Sequence, residues 1–271
     1  MTIRAALRTA TSQLGEVSDT PRLDAELLMA HALGTTRDAL ILRHLDAPTP
    51  PAFEDLLTRR LAHEPVAYIT GSRDFWTISL HVAPGVLIPR PDSETLIEAA
   101  VEHFAGTPGP RSVLDLGTGS GALLLAALAE WPAATGIGID ASDSAIAIAR
   151  DNVRRLDMTD RARIERGGWS GRGGPHDLIL CNPPYIGTEE ALPREVADWE
   201  PATALFAGAD GLDDYRAIAA VLRPQLGAGG VACIEIGASQ ADSAGALFVD
   251  QGFAVSLRRD LAGRARCLVV T

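Results

Sequence analysis

Apolar residues recur first at helical spacing, then in short runs that alternate with helical stretches. Ile3, Leu7 and Leu14 make a stripe that predicts one helix. Asp19 and Pro21 open a second, in which Leu23, Leu27 and Leu28 recur until Gly34. Thr36 is placed to cap a short third helix through Leu40 and Leu42. Thr49-Pro50-Pro51 opens a fourth, carrying Phe53, Leu56, Leu57 and Leu61. No strand pattern interrupts residues 1–70, which read as a small all-α bundle. From Phe75 the period changes to two. Trp76, Ile78, Leu80 and Val82 alternate with polar residues, and Pro84-Gly85 turns the chain into Val86-Leu87-Ile88. A β-hairpin linker over residues 71–91 follows from this. Residues 89–94, Pro-Arg-Pro-Asp-Ser-Glu, then lead into a helix with Leu96, Ala100 and Phe104 on one face and Asp92 or Ser93 as its cap.

Beyond the linker Gly106–Pro110, strands and helices alternate to the end of the chain. The apolar runs predict strands at 112–116, 136–140, 162–165, 177–181 and 231–236, with helices over 121–130, 142–156, 215–222 and 241–251. Two last strands, 253–257 and 266–270, are joined by a turn at Asp260–Gly263 and predict an antiparallel hairpin. Alternation of this kind gives an α/β fold, a mostly parallel sheet covered on both faces, over residues 92–271.

Composition narrows the picture. With 271 residues, 46% hydrophobic and 22% charged, the chain is an ordinary globular protein of one large or two unequal domains. No apolar run approaches the roughly 20 residues of a membrane span. Met1-Thr2-Ile3-Arg4 lacks the apolar core of a signal peptide, so a cytoplasmic protein without membrane attachment is expected. Cys181, Cys233 and Cys267 are widely spaced and lie in strand-like runs, which predicts buried thiols and no metal site. A net charge of −11 disfavours a general duplex-DNA binder, which needs a basic face for the phosphates.

Two stretches carry candidate chemistry. Asn182-Pro183-Pro184-Tyr185 follows the run 177–181 and so sits at a strand's carboxyl end, where open α/β sheets bind ligands. The prolines remove two backbone donors. Asn182 offers a side-chain acceptor, Pro183 a free carbonyl and Tyr185 an aromatic wall. Such a site can grip a planar NH2 group by accepting both of its N–H bonds. The second stretch, Asp115-Leu116-Gly117-Thr118-Gly119-Ser120-Gly121, joins a strand to a helix, and Asp140 ending the next strand is placed to accept from ribose hydroxyls. Gly117, Gly119 and Ala122 also fit the dinucleotide pattern, as NAD would require. A hydride-transfer enzyme needs an acid or base near its substrate, and no histidine or lysine follows the fourth strand. The Asn182 site suits methyl transfer to nitrogen instead, with S-adenosylmethionine as cofactor and catalysis by orientation.

With these residues in view, the chain resembles the HemK/PrmC family, the glutamine methyltransferases that modify class 1 peptide chain release factors of translation termination. The likeness runs nearly end to end. It takes in residues 21–26 (Pro-Arg-Leu-Asp-Ala-Glu), Gly71 with Phe75-Trp76, residues 88–94, the glycine loop, Asn182–Tyr185, Glu200-Pro201 with Ala204-Leu205, Glu235-Ile236-Gly237 and Asp260–Arg264. The resemblance implies a seven-stranded Rossmann-like class I methyltransferase sheet behind a helical substrate-docking domain. It implies a cofactor site at Gly117, Thr118, Gly119, Ser120, Gly121 and Asp140, with Trp169 near the adenine and Asn182 near the methyl donor. Asn182, Pro183, Pro184 and Tyr185 would form the pocket for the glutamine of a Gly-Gly-Gln loop, with Asn182, Pro183 and Tyr185 as its catalytic members. The expected partner is the release factor, with no stable nucleic-acid binding and a monomeric enzyme. One position departs from the family: Gly168 stands where an acid usually precedes the tryptophan. Other readings are a ribosomal-protein glutamine methyltransferase, which usually lacks the 89–94 pattern, an adenine-N6 DNA methyltransferase, an NAD-dependent oxidoreductase and a non-catalytic nucleotide-binding module.

Overall fold

A computed structural model describes residues 1–271. The chain forms two compact units: Met1–Ser72 with Leu192–Trp199, and Arg73–Ala191 with Glu200–Thr271.

The first unit is helical: α1 (Ile3–Leu14), α2 (Pro21–Leu33), α3 (Arg37–Ala39) running into a π turn at Leu40–His44, α4 (Ala52–Leu61), α5 (Val66–Thr70) and, from the later segment, α9 (Arg194–Ala197). Thr2 and Thr36 cap α1 and α3 through their side-chain oxygens. Gly34, at φ 64°, ends α2 in the left-handed conformation that glycine adopts without steric penalty. Ile3, Leu14, Leu28, Met29, Leu40 and Phe53 fill the core. Leu23 and Leu42, expected inside, are 39% and 78% exposed. The reason is electrostatic, because α2 turns Asp24 and Glu26 inward to meet arginines. Arg60 Nε donates to Asp24 Oδ2 at 2.7 Å, and Arg22 and Arg37 each donate to Glu26 at 2.8 Å. Arg60 also reaches Glu195 Oε2 at 2.8 Å, tying the 192–199 segment into this unit.

The second unit opens with a two-stranded hairpin, β1 (Ser72–Phe75) and β2 (Ile78–His81). Its turn lies at Trp76-Thr77 rather than at Pro84-Gly85, and Val86–Ile88 form no strand. Trp76 adopts φ 53°, rare for a bulky residue, and its N–H is held by Glu94 Oε1 at 2.8 Å. An unlike pair of contacts thus overrides the period-two pattern. Helix α6 (Glu94–His103) follows a 3-10 turn, and neither Asp92 nor Ser93 supplies a side-chain cap.

The sheet comprises β3 (Ser112–Leu116), β4 (Thr135–Asp140), β5 (Ala162–Arg166), β6 (His176–Cys181), β7 (Leu226–Glu235), β8 (Val255–Arg259) and β9 (Ala265–Val270). Their order is β5-β4-β3-β6-β7-β9-β8, parallel except for β9, which is antiparallel to both neighbours. It is covered by α6, α7 (Ala122–Glu130), α8 (Asp143–Arg155), α10 (Asp213–Leu222) and α11 (Ala241–Val249). Strand alternation sorts the two cores: Val113, Leu178 and Leu180 face Leu96 and Leu124, whereas Leu114, Ile179 and Ile234 face Tyr215 and Phe248. All three cysteines are buried in these strands. No helix is long and apolar enough to cross a membrane.

Arg60 and Asp24 form an ion pair with side chains only 4% and 9% exposed. Removing one partner of a buried pair strands the other charge, at about 3–5 kcal/mol. Arg60→Ala should lower the unfolding free energy by that order, read by urea titration with far-UV circular dichroism. A change below about 1 kcal/mol would show that Asp24 rehydrates freely.

Candidate active site

Strand order reverses between β3 and β6, so the connections leaving their carboxyl ends diverge and leave a crevice. A cavity of about 350 Å³ lies there. Its walls include Gly117, Thr118, Gly119, Ser120, Asp140, Gly168, Trp169, Asn182 and Pro184. The structure therefore brings both predicted stretches to one site. Gly121, Pro183 and Tyr185 are not on that wall. Gly121 is the left-handed residue before α7, Pro183 is buried, and the Tyr185 hydroxyl points to Glu235 Oε1 at 3.5 Å.

The glycine loop is shaped from below by Asp115. One carboxylate oxygen accepts from the Thr118 hydroxyl at 2.6 Å and from the Leu124 N–H in the first turn of α7 at 3.2 Å. Its other oxygen is buried without a partner, and burial pushes the carboxyl up to about 7. The Asp115 side chain thus already occupies the amino end of α7, the place where a phosphate would bind. The loop's own donors are also spent: Gly117 and Thr118 N–H bond to the Ile139 carbonyl, Gly119 N–H to Asp140 and Gly121 N–H to the Thr118 carbonyl. Both facts count against the pyrophosphate of NAD. They suit a cofactor whose reacting centre is cationic, such as a sulfonium, with the Asp140 and Asp214 carboxylates also on the wall.

Asp140 accepts from Gly119 N–H at 2.9 Å and from Ser142 N–H at 2.8 Å, one on each oxygen. Each oxygen keeps a second lone pair for a ligand. Trp169 closes one side, and its indole N–H donates to Asp214 at 2.9 Å. A Cβ at Gly117 would stand 3.3 Å from that indole, so glycine there preserves the gap beside the ring. These residues fit S-adenosylmethionine: a flat ring wall, a ribose-type carboxylate and a loop too tight for side chains.

Several participants escape sequence reading. Asp214, 45 residues beyond Trp169, has no local motif and is found only through the fold. Val86 and Leu87 line the cavity although their run reads as a strand. Glu200 accepts from the Ile88 N–H at 3.1 Å and pairs with Arg90, holding the 88–90 segment on which Pro89 lines the wall.

A mostly parallel sheet with its crevice at the β3/β6 reversal and an antiparallel β9 between β7 and β8, with a glycine loop after β3 and an acid ending β4, fits a methyltransferase. The methyltransferase small domain family matches residues 92–198, and the PrmC N-terminal domain family matches residues 5–71. The chain is 44% identical to the release factor glutamine methyltransferase of Rhodospirillum rubrum over 92% of this chain and 78% of that protein. It is 43% identical to the enzyme of the same name from Cereibacter sphaeroides, covering 96% and 95% of the two chains. A solved methyltransferase from Pyrococcus furiosus shares the fold, with a TM-score of 0.55 at 16% identity, covering 80% of this chain and 97% of that one. The chain belongs to the release factor glutamine methyltransferase family.

Burial also pushes the Glu235 carboxyl up to about 7. Both Asp115 and Glu235 thus bind protons in the folded state at pH values where the unfolded chain has released them. The stability this confers is complete below the ordinary carboxylate range and is lost as pH rises toward about 7. Unfolding free energy should therefore fall over that interval, by at most about 1.4 kcal/mol per pH unit for each group. Asp115→Asn should flatten the profile measured by urea unfolding. An unchanged slope would show that Asp115 stays ionised throughout.

Proposed function

We propose that this protein transfers a methyl group from S-adenosylmethionine to the side-chain amide nitrogen of the glutamine in the Gly-Gly-Gln loop of class 1 peptide chain release factors. The observation that carries this reading is the shared cavity. Asn182, at the end of β6, opens onto the same space as the loop Gly117–Ser120 at the end of β3. When bound, the cofactor would supply an electrophilic methyl carbon, its sulfur–methyl bond breaking to leave a neutral thioether as the glutamine nitrogen gains the methyl and loses one proton to solvent.

The protein's task is orientation. Gly117–Gly121 and Asp140 hold the cofactor, Asp140 through ribose hydroxyls that do not change during transfer, so its contribution is uniform binding. Trp169 packs against the adenine. The Asn182 side-chain oxygen and the Pro183 carbonyl accept the two N–H bonds of the substrate amide, which aims a weakly nucleophilic nitrogen. Tyr185 stays protonated, since burial pushes its phenol up to about 12, and so is not a base for the amide proton. Selection of one glutamine among many needs contacts far from the methyl group, and we assign these to the helical residues 1–70.

Intact mass of a purified release factor before and after incubation with enzyme and S-adenosylmethionine tests the reaction. A gain of one methyl mapped to the Gly-Gly-Gln peptide is expected; methylation elsewhere would overturn the assignment. Asn182→Ala should lower kcat by about 10²–10³, the loss typical of one preorganised polar partner, with a small change in cofactor affinity. Near wild-type turnover would remove Asn182 from the mechanism.

Gly168 also lines the cavity, and open space surrounds the position of a Cβ there. Gly168→Asp should restore a side-chain acceptor for the adenine amino group and tighten S-adenosylmethionine by about 2–10-fold, one hydrogen bond's worth. Calorimetric titration measures it, and weaker binding would place the adenine elsewhere.

A further inference from the structure

Trp169 lies in the loop after β5, outside any helix or strand, and its half-buried ring lines the cavity. The last torsion of a tryptophan is broad and nearly two-fold, so a ring on a loop can face either way unless something fixes it. Trp169 is tied at both its backbone and its ring. Its main-chain carbonyl accepts from Gln225 Nε2 at 3.1 Å, and the same nitrogen donates to the Val221 carbonyl at 2.7 Å. Its indole N–H donates to Asp214 Oδ1 at 2.9 Å. Asp214 stands in the first turn of α10 and Gln225 in the 3-10 turn that follows the last, so one helical stretch holds backbone and ring together. The benzo edge lies toward the glycine loop, where a Cβ at Gly117 would stand 3.3 Å from Cη2 and Cζ3. Turning the ring over would take its N–H away from Asp214 and swing the benzo edge away from Gly117.

We propose that Asp214 is a positioning residue for cofactor recognition: by accepting the indole N–H it fixes the orientation of the Trp169 ring, the wall on which the adenine packs. Its contribution is the hydrogen bond, for which any oxygen acceptor serves, and its negative charge has no part in it. The inference rests on the assignment of Trp169 to the adenine.

The test is calorimetric titration of the full-length enzyme with S-adenosylmethionine and with its demethylated product, a neutral thioether carrying the same adenosine. Asp214→Ala should weaken both ligands by the same factor, about tenfold, the worth of one hydrogen bond to a charged group. Asp214→Asn keeps an oxygen acceptor and should stay within about threefold of wild type for both. Trp169→Phe keeps an aromatic face without an N–H; it should lose affinity as well, and adding Asp214→Ala to it should change nothing further. A loss confined to S-adenosylmethionine would show Asp214 acting by charge on the sulfonium and would overturn the proposal. Additive losses, asparagine no better than alanine, or wild-type affinity in Asp214→Ala would overturn it too. Wild-type affinity for both ligands in Trp169→Ala would instead overturn the placing of the adenine, so the two failures are distinguishable.

Discussion

Between β3 and β6 the sheet changes the direction in which successive strands are added, and the chain cannot cross directly above that point. The loop after β3 runs off toward α7 and β4; the one after β6 runs the opposite way. Register places Leu116 beside Cys181, so the two loops start level with each other. A ligand site follows from that divergence before any side chain is chosen. Gly117–Ser120 on one side and Asn182 and Pro184 on the other are the residues that fall on its two rims.

What the crevice accepts is set by charge beneath it. The positive end of α7 is normally an anion site, but Asp115 fills it, accepting from the Leu124 N–H and fixing Thr118 in the same bond set. With Asp140 bound to the Gly119 and Ser142 N–H groups, few loop donors remain. A glycine pattern that reads equally as a dinucleotide loop becomes, in three dimensions, a site whose helix end and most loop donors are already taken. The difference lies in where the carboxylates sit, and spacing along the chain does not carry it.

Many short stretches around the site act as ties. Glu94 holds the left-handed Trp76. Glu200 holds the Ile88 N–H. Asp260 accepts from the Arg264 N–H, while Arg266 reaches Asp92 at 2.9 Å. The Glu200 and Arg266 contacts link the 88–94 stretch to residues far along the chain. Together they fix the segment 88–94, from which Pro89 and Ser93 reach the cavity.

The periodicity of the chain determined the elements themselves. Strands buried on both faces must be nearly continuous apolar runs, and helices between them need a stripe, so β3–β9 and α6, α7, α8, α10 and α11 are legible. The exceptions are the start of β7 at Leu226, before its apolar run, and α9, which has no stripe to announce it. The residue types of the two loops likewise pointed to nitrogen methylation, because glycine tightness and a Pro-Pro segment without backbone donors are local properties. Tertiary structure alone decided the rest. Leu23 lies outside because Asp24 turns inward to the buried Arg60; Trp76 turns the hairpin because Glu94 waits 18 residues on. Asp214 meets Trp169, and Ser93 meets Asn182, across sequence separations that no period encodes. Local pattern reports which surface must be buried; a polar contact between distant segments depends on how the buried surfaces have already been stacked.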